Sequence, residues 1–459
     1  MAQHFTDEST QIRMQACGLV APADLPSAWW TLYHSPELDA IVRAGLANHP
    51  SVASAQAALR VATENRLAQQ SAFFPAVGLE YSASRQKIAA PIASPLSSNA
   101  TLFNLQTAQV NVSYTPDLFG LNRRQVESLK AQEDSQRWNL EATSLTLSSN
   151  LVVAAITEAG LREQVEATRR VIALQSDILE RYRQLQRLGQ NSALDVAQQE
   201  SQLATLEASL PPLEKQLSVQ RDQIKALMGL AADAPLAEQF TLERLALPEP
   251  LPLTLPSSLV EHRPDVLAAE AQLRSASADI GVAVANRLPD VTLGVNSWGS
   301  SAASLGGLFS PGTTFWTLAG SVGQAVFDGG ALKHREAAAR AAYDQAAAQY
   351  RQTVINAFQN VADALQAIDA DARALRASQR AQDASERTLA IARRQLELGD
   401  TSALAVMAAE QGVQQAMLST LQARADRLAD AAALFQALGG GWWNRAEGAS
   451  TPAAGADPG

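Results

Sequence analysis

Glu80, Asp117, His262 and two charged turns are the places in this chain where residue types could do chemistry. Glu80 and Asp117 would act as a general acid and base if they faced one substrate, and His262, in "VEHRPD", could move a proton or hold a metal. Neither pattern develops. The chain has no H-E-x-x-H pair, no phosphate-cradling P-loop and no G-x-S-x-G nucleophile elbow. Its one cysteine, Cys17, offers no thiol pair for a metal. His262 stands just before Pro264, which suits the first position of a helix because its missing N–H would be unpartnered there, so His262 reads as a helix-entry residue. Glu80 lies within an alternating segment and Asp117 at the end of another, which reads as solvated polar lining. No catalytic, cofactor-binding or metal site is expected, and the chain is not expected to be an enzyme.

The charged turns are a matched pair. "LGQNSALDV" from Leu188 to Val196 returns as "LGDTSALAV" from Leu398 to Val406, a shift of 210. In each, a glycine, Gly189 or Gly399, is suited to end one helix, and a serine, Ser192 or Ser402, to cap the next. Ser192 with Asp195 fits a reciprocal capping pattern, and Ala405 stands where the second copy would need its carboxylate. Asp400 lies in the turn itself and is expected, with Arg187, Arg393 or Arg394 across helix pairs, to help latch these turns together.

The turns belong to a larger duplication. "HPSVASAQAALR" from His49 matches "RPDVLAAEAQLR" from Arg263, with Pro50, Val52, Ala57, Leu59, Arg60 and Pro75 recurring as Pro264, Val266, Ala271, Leu273, Arg274 and Pro289, a shift of 214. The expected organisation is an N-terminal segment at 1–34, a first repeat at 35–240, a Pro-rich linker at 241–257, a second repeat at 258–440 and a disordered tail at 441–459. Each repeat reads in the same order: a helix closed by proline, two alternating segments, then two long helices joined by the charged turn.

The long helices carry heptads. Val354, Phe358, Val361, Leu365, Ile368, Ala372 and Leu375 are spaced alternately by four and three, and Leu140, Ser144, Leu147, Leu151, Ala154, Glu158, Leu161 and Val165 keep the same rhythm with two polar interruptions. From Gly120 to Arg187 there is no proline, so at 1.5 Å per residue that helix would run about 100 Å, and Asp328 to Glu397 matches it. Helices in ordinary globular domains are far shorter.

Strands are expected at about 76–85, 105–116, 290–299 and 314–327. Val77, Leu79, Tyr81 and Ala83 alternate with Gly78, Glu80, Ser82 and Ser84, the period of a strand with one apolar face. Aromatics Phe73, Phe74, Tyr81, Tyr114, Trp298, Phe315 and Trp316 sit mostly near strand ends, as in an interfacial girdle. No run of about 18 apolar residues exists to make a spanning helix, so a membrane would have to be crossed by strands. Four strands are too few to close a membrane barrel, and open edges are not tolerated in lipid, so several chains would have to share one barrel. A soluble sheet packed on the helices would give the same alternation.

A net charge of −10 and a sequence pI near 5.1, with no long basic run, argue against nucleic acid as a partner. The chain opens with "MAQHFTDESTQIRMQAC", which lacks the apolar centre of a secretory signal.

"EHRPDVLAAEAQLRSASADIGVAVANRLPDVTL", with Arg263, Pro264, Asp265, Ala269, Glu270, Leu273, Ile280, Gly281 and Pro289, closely resembles the second-half signature of TolC-type outer-membrane factors, specifically the NodT-like outer-membrane lipoproteins of resistance-nodulation-division (RND) efflux systems. "WWTLYHSPELDAIVRAGLANHP", "YTPDLFG" and "ALGGGW" extend the resemblance from Trp29 to Trp442. It implies a mainly α fold with β: long coiled-coil helices forming a periplasmic α-barrel, and four strands per chain contributing to a twelve-stranded outer-membrane barrel in a homotrimer. It further implies an exit duct that passively carries drugs or other small molecules, with a periplasmic adaptor, an RND-type inner-membrane transporter and outer-membrane lipid as partners. Gly189, Ser192, Asp195, Gly399, Asp400 and Ser402 would then lie at the periplasmic tips that meet the adaptor. Cys17 would carry a lipid; Ala16 fits the expected lipobox, while Met14 and Gln15 depart from it. The family's gating aspartates would fall near Ala405, Val406 and Met407, so an acidic ring here depends on Asp400. The duct's interior is expected to be polar and acidic on balance, favouring cations. The alternatives are a type I secretion duct, or a soluble periplasmic coiled-coil scaffold or adaptor, which fractionation would separate from a barrel.

Overall fold

The computed structural model describes residues 25–89, 101–235, 240–246 and 261–445. Cys17 lies outside the described residues. Seven α-helices and four strands follow in the order α1 (Pro36–Asn48), α2 (Pro50–Gln70), β1 (Ala76–Lys87), β2 (Leu102–Tyr114), α3 (Leu121–Arg187), α4 (Ala193–Leu227), α5 (Pro264–Ala285), β3 (Asp290–Ala302), β4 (Thr314–Gly323), α6 (Ala331–Glu397) and α7 (Ala403–Ala437), counted among the described residues. The duplication is metrically strict in its helices: α3 and α6 each have 67 residues, and α4 and α7 each have 35.

Local chemistry sets where these elements start. Ser35 caps α1 by accepting the Leu38 N–H, with Pro36 at the first position and Glu37 and Asp39 in the first turn, where the helix dipole favours negative charge. Asp117 caps α3 by accepting from Asn122 N at 3.2 Å and Arg123 N at 2.9 Å, and Asp328 caps α6 by accepting from Gly330 N at 2.8 Å and Leu332 N at 2.7 Å. Those donated N–H groups hold the Asp328 carboxyl below its ordinary range. Asp117 is therefore a helix cap rather than lining.

The chain divides into two compact units, Met1–Gln56 with Trp138–Leu267 and Gln352–Gly459, and Ala57–Arg137 with Ala268–Arg351. Each unit draws on both repeats, so the repeats at 35–240 and 258–440 are units of sequence and not of packing.

The first unit holds the main core, in which Trp29, Tyr33, Leu38 and Ile41 pack with Leu151, Ile156, Ile224, Leu242, Leu434 and Phe435, all essentially fully buried. Trp29 stacks on Phe435 with ring centroids 5.4 Å apart, and the Tyr33 hydroxyl donates to the Leu428 carbonyl at 2.8 Å. Three short 3-10 helices fall in segments expected to flank the repeats. Trp29–Tyr33, within the N-terminal segment expected at 1–34, is a short 3-10 helix packed in the core. Leu242–Arg244, expected as linker, is another such turn, with Leu242 buried. Trp442–Asn444, expected as disordered tail, is a third: Trp442 donates to the His262 carbonyl at 2.8 Å, Asn444 donates to the Leu25 carbonyl, and Arg445 grips both oxygens of Glu141 at 3.0 Å. Aromatic side chains supplied the driving force that a composition-based reading of Gly, Pro and Ala passed over.

Heptad positions point inward as their spacing requires: Leu147, Leu151, Ala154, Val165, Val361, Leu365, Ala372 and Leu375 are buried. Glu158, the polar interruption, is buried too and is matched by Arg221 at 2.9 Å and Arg162 at 3.6 Å, which offsets the cost of taking its charge out of water.

The second unit holds the sheet. Its strand order is β1-β2-β3-β4, all antiparallel, leaving β1 and β4 as open edges. In its helices, Glu133 pairs with Arg66 and accepts the Thr63 hydroxyl at 2.7 Å. Burial raises the Glu133 carboxyl, but these partners outweigh it and leave the group below its ordinary range.

Candidate functional site

Two surfaces carry the functional argument, one in each unit. The first is the sheet. Its register aligns one apolar face in rows: Val291 opposite Val322; Tyr114 opposite Leu293 and Leu293 opposite Gly320; Val77, Val112, Val295 and Leu318; then Leu79, Val110, Trp298 and Trp316. The side chains of β1 and β4 in these rows are open to the surroundings, with Leu79 83% exposed, Trp316 73% and Val322 71%, while Val110, Val112, Val291 and Val295 between them are half-buried. A sheet face so apolar and so uncovered matches a hydrocarbon solvent rather than water. The opposite face is polar: Glu80 accepts from Gln109 at 3.0 Å and Asn111 at 3.1 Å, and Thr107 meets Ser301 at 3.1 Å. Phe315, expected in the aromatic girdle, pairs with Gly299 on this polar face, while Tyr81, Trp298 and Trp316 hold to the apolar one.

A register shift keeps the face continuous. Val112 pairs with Val295 but Val110 pairs with Trp298, so one residue is skipped on β3. Gly299 follows, and a Cβ there would lie 2.1 Å from the Ala108 carbonyl oxygen and 2.7 Å from the Gln109 Cα, so glycine is what permits the strands to close on each other.

The second surface is formed by the turns. Gly189 and Gly399 have φ of 73° and 78°, the left-handed conformation that ends a helix with least strain in glycine. Ser192 accepts from Asp195 N at 3.1 Å while Asp195 accepts from Ser192 N at 2.9 Å, a complete capping box. Those two hydrogen bonds from Ser192, hydroxyl first and backbone second, hold the Asp195 carboxyl below its ordinary range. Ser402 makes the one-sided version, accepting from Ala405 N at 3.4 Å. The helix-ending and capping roles expected of Gly189, Ser192, Asp195, Gly399 and Ser402 are thus in place.

The latch is not formed within the chain as expected. Arg187 pairs with Glu180 at 3.2 Å, Arg393 with Glu410 at 2.9 Å and Arg394 with Glu397 at 2.7 Å, and among the described residues no ion pair joins any of them to Asp400. The reason is local geometry: a carboxylate one or two turns away on the same helix, or facing on its partner helix, is already positioned, whereas a carboxylate in the turn is not. Asp400 is fixed through its backbone, its N–H donating to the Gln395 carbonyl at 2.9 Å.

Beneath the turns lies a polar cluster absent from the sequence reading. Gln199, fully buried, hydrogen-bonds Gln175 and the Met407 sulfur, and Gln411 donates to Gln202 at 2.5 Å, so amides stitch α4 to α7. Burial first, then the nearby charges of Asp195 and Glu410, push the Tyr182 hydroxyl above its ordinary range, against the pull of a hydrogen bond with Gln199. Nothing in the spacing of Gln199 distinguishes it from a surface glutamine, so the sequence carries no signal for this cluster.

Comparisons agree with this architecture. The family described as "Outer membrane efflux protein" matches residues 41–230 and 255–440. The pyoverdine export outer membrane protein OpmQ of Pseudomonas putida is 28% identical over 420 residues, covering 90% of this chain and 88% of the relative. The toluene efflux pump outer membrane protein TtgC of Pseudomonas putida is 27% identical over 431 residues, covering 92% and 87%. Among solved structures, the outer-membrane channel OprN superposes with a TM-score of 0.84 at 26% identity over 94% of this chain and 95% of that one, and VceC of Vibrio cholerae with 0.82 at 25% over 91% and 100%.

Proposed function

This chain belongs to the outer membrane efflux protein family, and from that premise we propose how it works: as one of three copies whose strands close a single twelve-stranded barrel and whose turns ring a periplasmic mouth. It is an outer-membrane efflux channel, not an enzyme, and it extends into the periplasm. The observation that carries the trimer is the four-stranded sheet with an exposed apolar face and two unpaired edges, which lipid tolerates only in a closed ring. The same exposed face disfavours a soluble scaffold.

Conduction is passive. The partners are a periplasmic adaptor that meets the tips at Gly189, Ser192, Asp195, Gly399, Asp400 and Ser402, and an inner-membrane transporter of the RND type that supplies the energy. Relatives named for pyoverdine export and toluene efflux support small organic molecules as cargo. Lipidation of Cys17 as an anchor belongs to the same reading. Glu80, held on the polar face by Gln109 and Asn111, gives the barrel wall its negative charge and a preference for cations.

Single-channel recording across a salt gradient tests this. A cation-selective reversal potential that shrinks in Glu80→Gln is the expected result; an anion-selective wild type would refute the acidic wall. An oligomer that resists detergent until boiled is the expected sign of the shared barrel, and extraction by salt alone would refute it.

A further inference from the structure

The hairpin of β1 and β2 ends in a charge pattern that passive conduction does not use. Twelve unbroken residue pairs, from Ala76 opposite Ser113 to Lys87 opposite Leu102, keep β1 strictly alternating along its whole length. The residues on its apolar face therefore run Val77, Leu79, Tyr81, Ala83, Arg85, Lys87. Two cations stand on the face that meets hydrocarbon, beyond Tyr81 and Ala83 on their own strand and past the row that holds Trp298 and Trp316.

Their height is set by the register. Along β2, the ten residues from Tyr114 to Asn104 rise roughly 25 Å at about 3.4 Å per residue and a strand tilt of about 40°, the thickness of an outer-membrane apolar band. Arg85, opposite Asn104, and Lys87 thus emerge at the headgroup level, at the end of the sheet away from α2 and α3. Both side chains are exposed, and among the described residues no carboxylate pairs with either. The 88–104 connection contains no acidic residue at all, in a chain whose net charge is −10. The second hairpin, Val291 to Gly323, has neither Lys nor Arg, so the duplication does not explain the pair.

We propose that Arg85 and Lys87 form a binding site for the phosphate groups of the anionic glycolipid in the outer leaflet. Arginine supplies a planar pair of donors for two phosphate oxygens, lysine a compact charge beside it, and the Asn104 amide on the paired strand extends the donor set. The apolar row beneath receives the acyl chains of the same lipid. This rests on the closed-barrel reading, which fixes the apolar face as the lipid face.

The test uses the full-length protein in nanodiscs of phosphatidylethanolamine containing either bisphosphorylated or dephosphorylated lipid A, released into native mass spectrometry to count retained lipid A. Each basic residue at an anionic surface contributes roughly a fivefold gain in affinity, so Arg85→Gln with Lys87→Gln should lower retention of the bisphosphorylated form by about twenty-five-fold. The detergent-resistant oligomer should persist, and Arg85→Lys with Lys87→Arg should restore most of the retention. Lys333→Gln with Arg335→Gln, exposed cations at the start of α6, should change nothing. Equal retention of both lipids, or equal loss in the α6 control, overturns the proposal. An oligomer that fails to form in the double variant while lipid retention is unchanged also overturns it and assigns the cations to guarding an edge strand. A wild type that forms no resistant oligomer refutes the barrel itself, and this site with it.

Discussion

Ser192 and Asp195 cap one another, each accepting the other's backbone N–H, whereas Ser402 at the duplicated turn has only Ala405 to cap and nothing returning the bond. Two turns of one ancestry therefore hold their helices with different strength. Asp195→Ala should speed amide hydrogen exchange in the first turn of α4, and Ala405→Asp should slow it in α7. The Asp195 carboxyl lies below its ordinary range, so its contribution is present above an unfolded pKa of about 4 and lost as pH falls through the folded value. Exchange at α4 that ignores acidification would contradict the cap.

Asp371 gives the opposite pH response. Burial first, then a hydrogen bond with Asp430 and the charges of Asp430 and Asp426, raise its carboxyl to about 7 against the pull of Arg427. Its own helix offers no relief, since Asp369 is paired with Arg373 at 3.1 Å. A raised acid binds more protons folded than unfolded, so its stabilisation is complete below about pH 4 and lost as pH rises through about 7. Asp371→Asn should flatten the fall in melting temperature between pH 5 and pH 8, read by calorimetry; an unaltered slope would remove the pair from that role.

Tyr33 donates to Leu428 across 395 residues of sequence, inside the core. Tyr33→Phe removes one buried hydrogen bond and should cost about 1 kcal/mol of stability, with Trp29→Ala costing about 3–5 kcal/mol through the cavity it leaves. Urea unfolding would rank them, and equal midpoints for both variants would show that the aromatic turn is not anchored as described.

Gly299→Val should prevent β2 from pairing with β3, because its Cβ would fall within 2.1 Å of the Ala108 carbonyl oxygen. Loss of the detergent-resistant oligomer without loss of helix content by circular dichroism is the expected outcome. A normal oligomer would mean that the strands part at little cost.

The arginines at the turns are committed elsewhere, so Arg393→Ala should free Glu410 on α7 and raise conductance if the mouth is held by that pair. Asp400→Ala should raise it as well only if Asp400 reaches a neighbouring copy. Single-channel current separates the two, and no change in either variant would remove both residues from the gate.

Much of this fold was legible in the residues. Helix ends were written in Gly189, Ser192 and Asp195, and heptads in Val354 to Leu375, because capping and periodicity act over three or four neighbours and leave a local trace. The tip latch was not legible, since an arginine's partner is chosen among all carboxylates in reach, and the sequence gives no distances. Gln199 was missed for the same reason: burial is a property of what packs around a side chain.

The sequence by itself determined the duplication, the order of elements, the matched lengths of α3 and α6, and the need for more strands than one chain carries. Only the tertiary structure decided that the repeats do not fold as separate units, that Trp29 stacks on Phe435 in the core while Trp442 holds the His262 carbonyl, and that Trp298 joins Val295 on one face. A strict period of two from Val291 through Val295 would have turned Trp298 to the polar side; a single skipped residue reverses that, and hydrogen-bond register between strands far apart in the chain is what sets it.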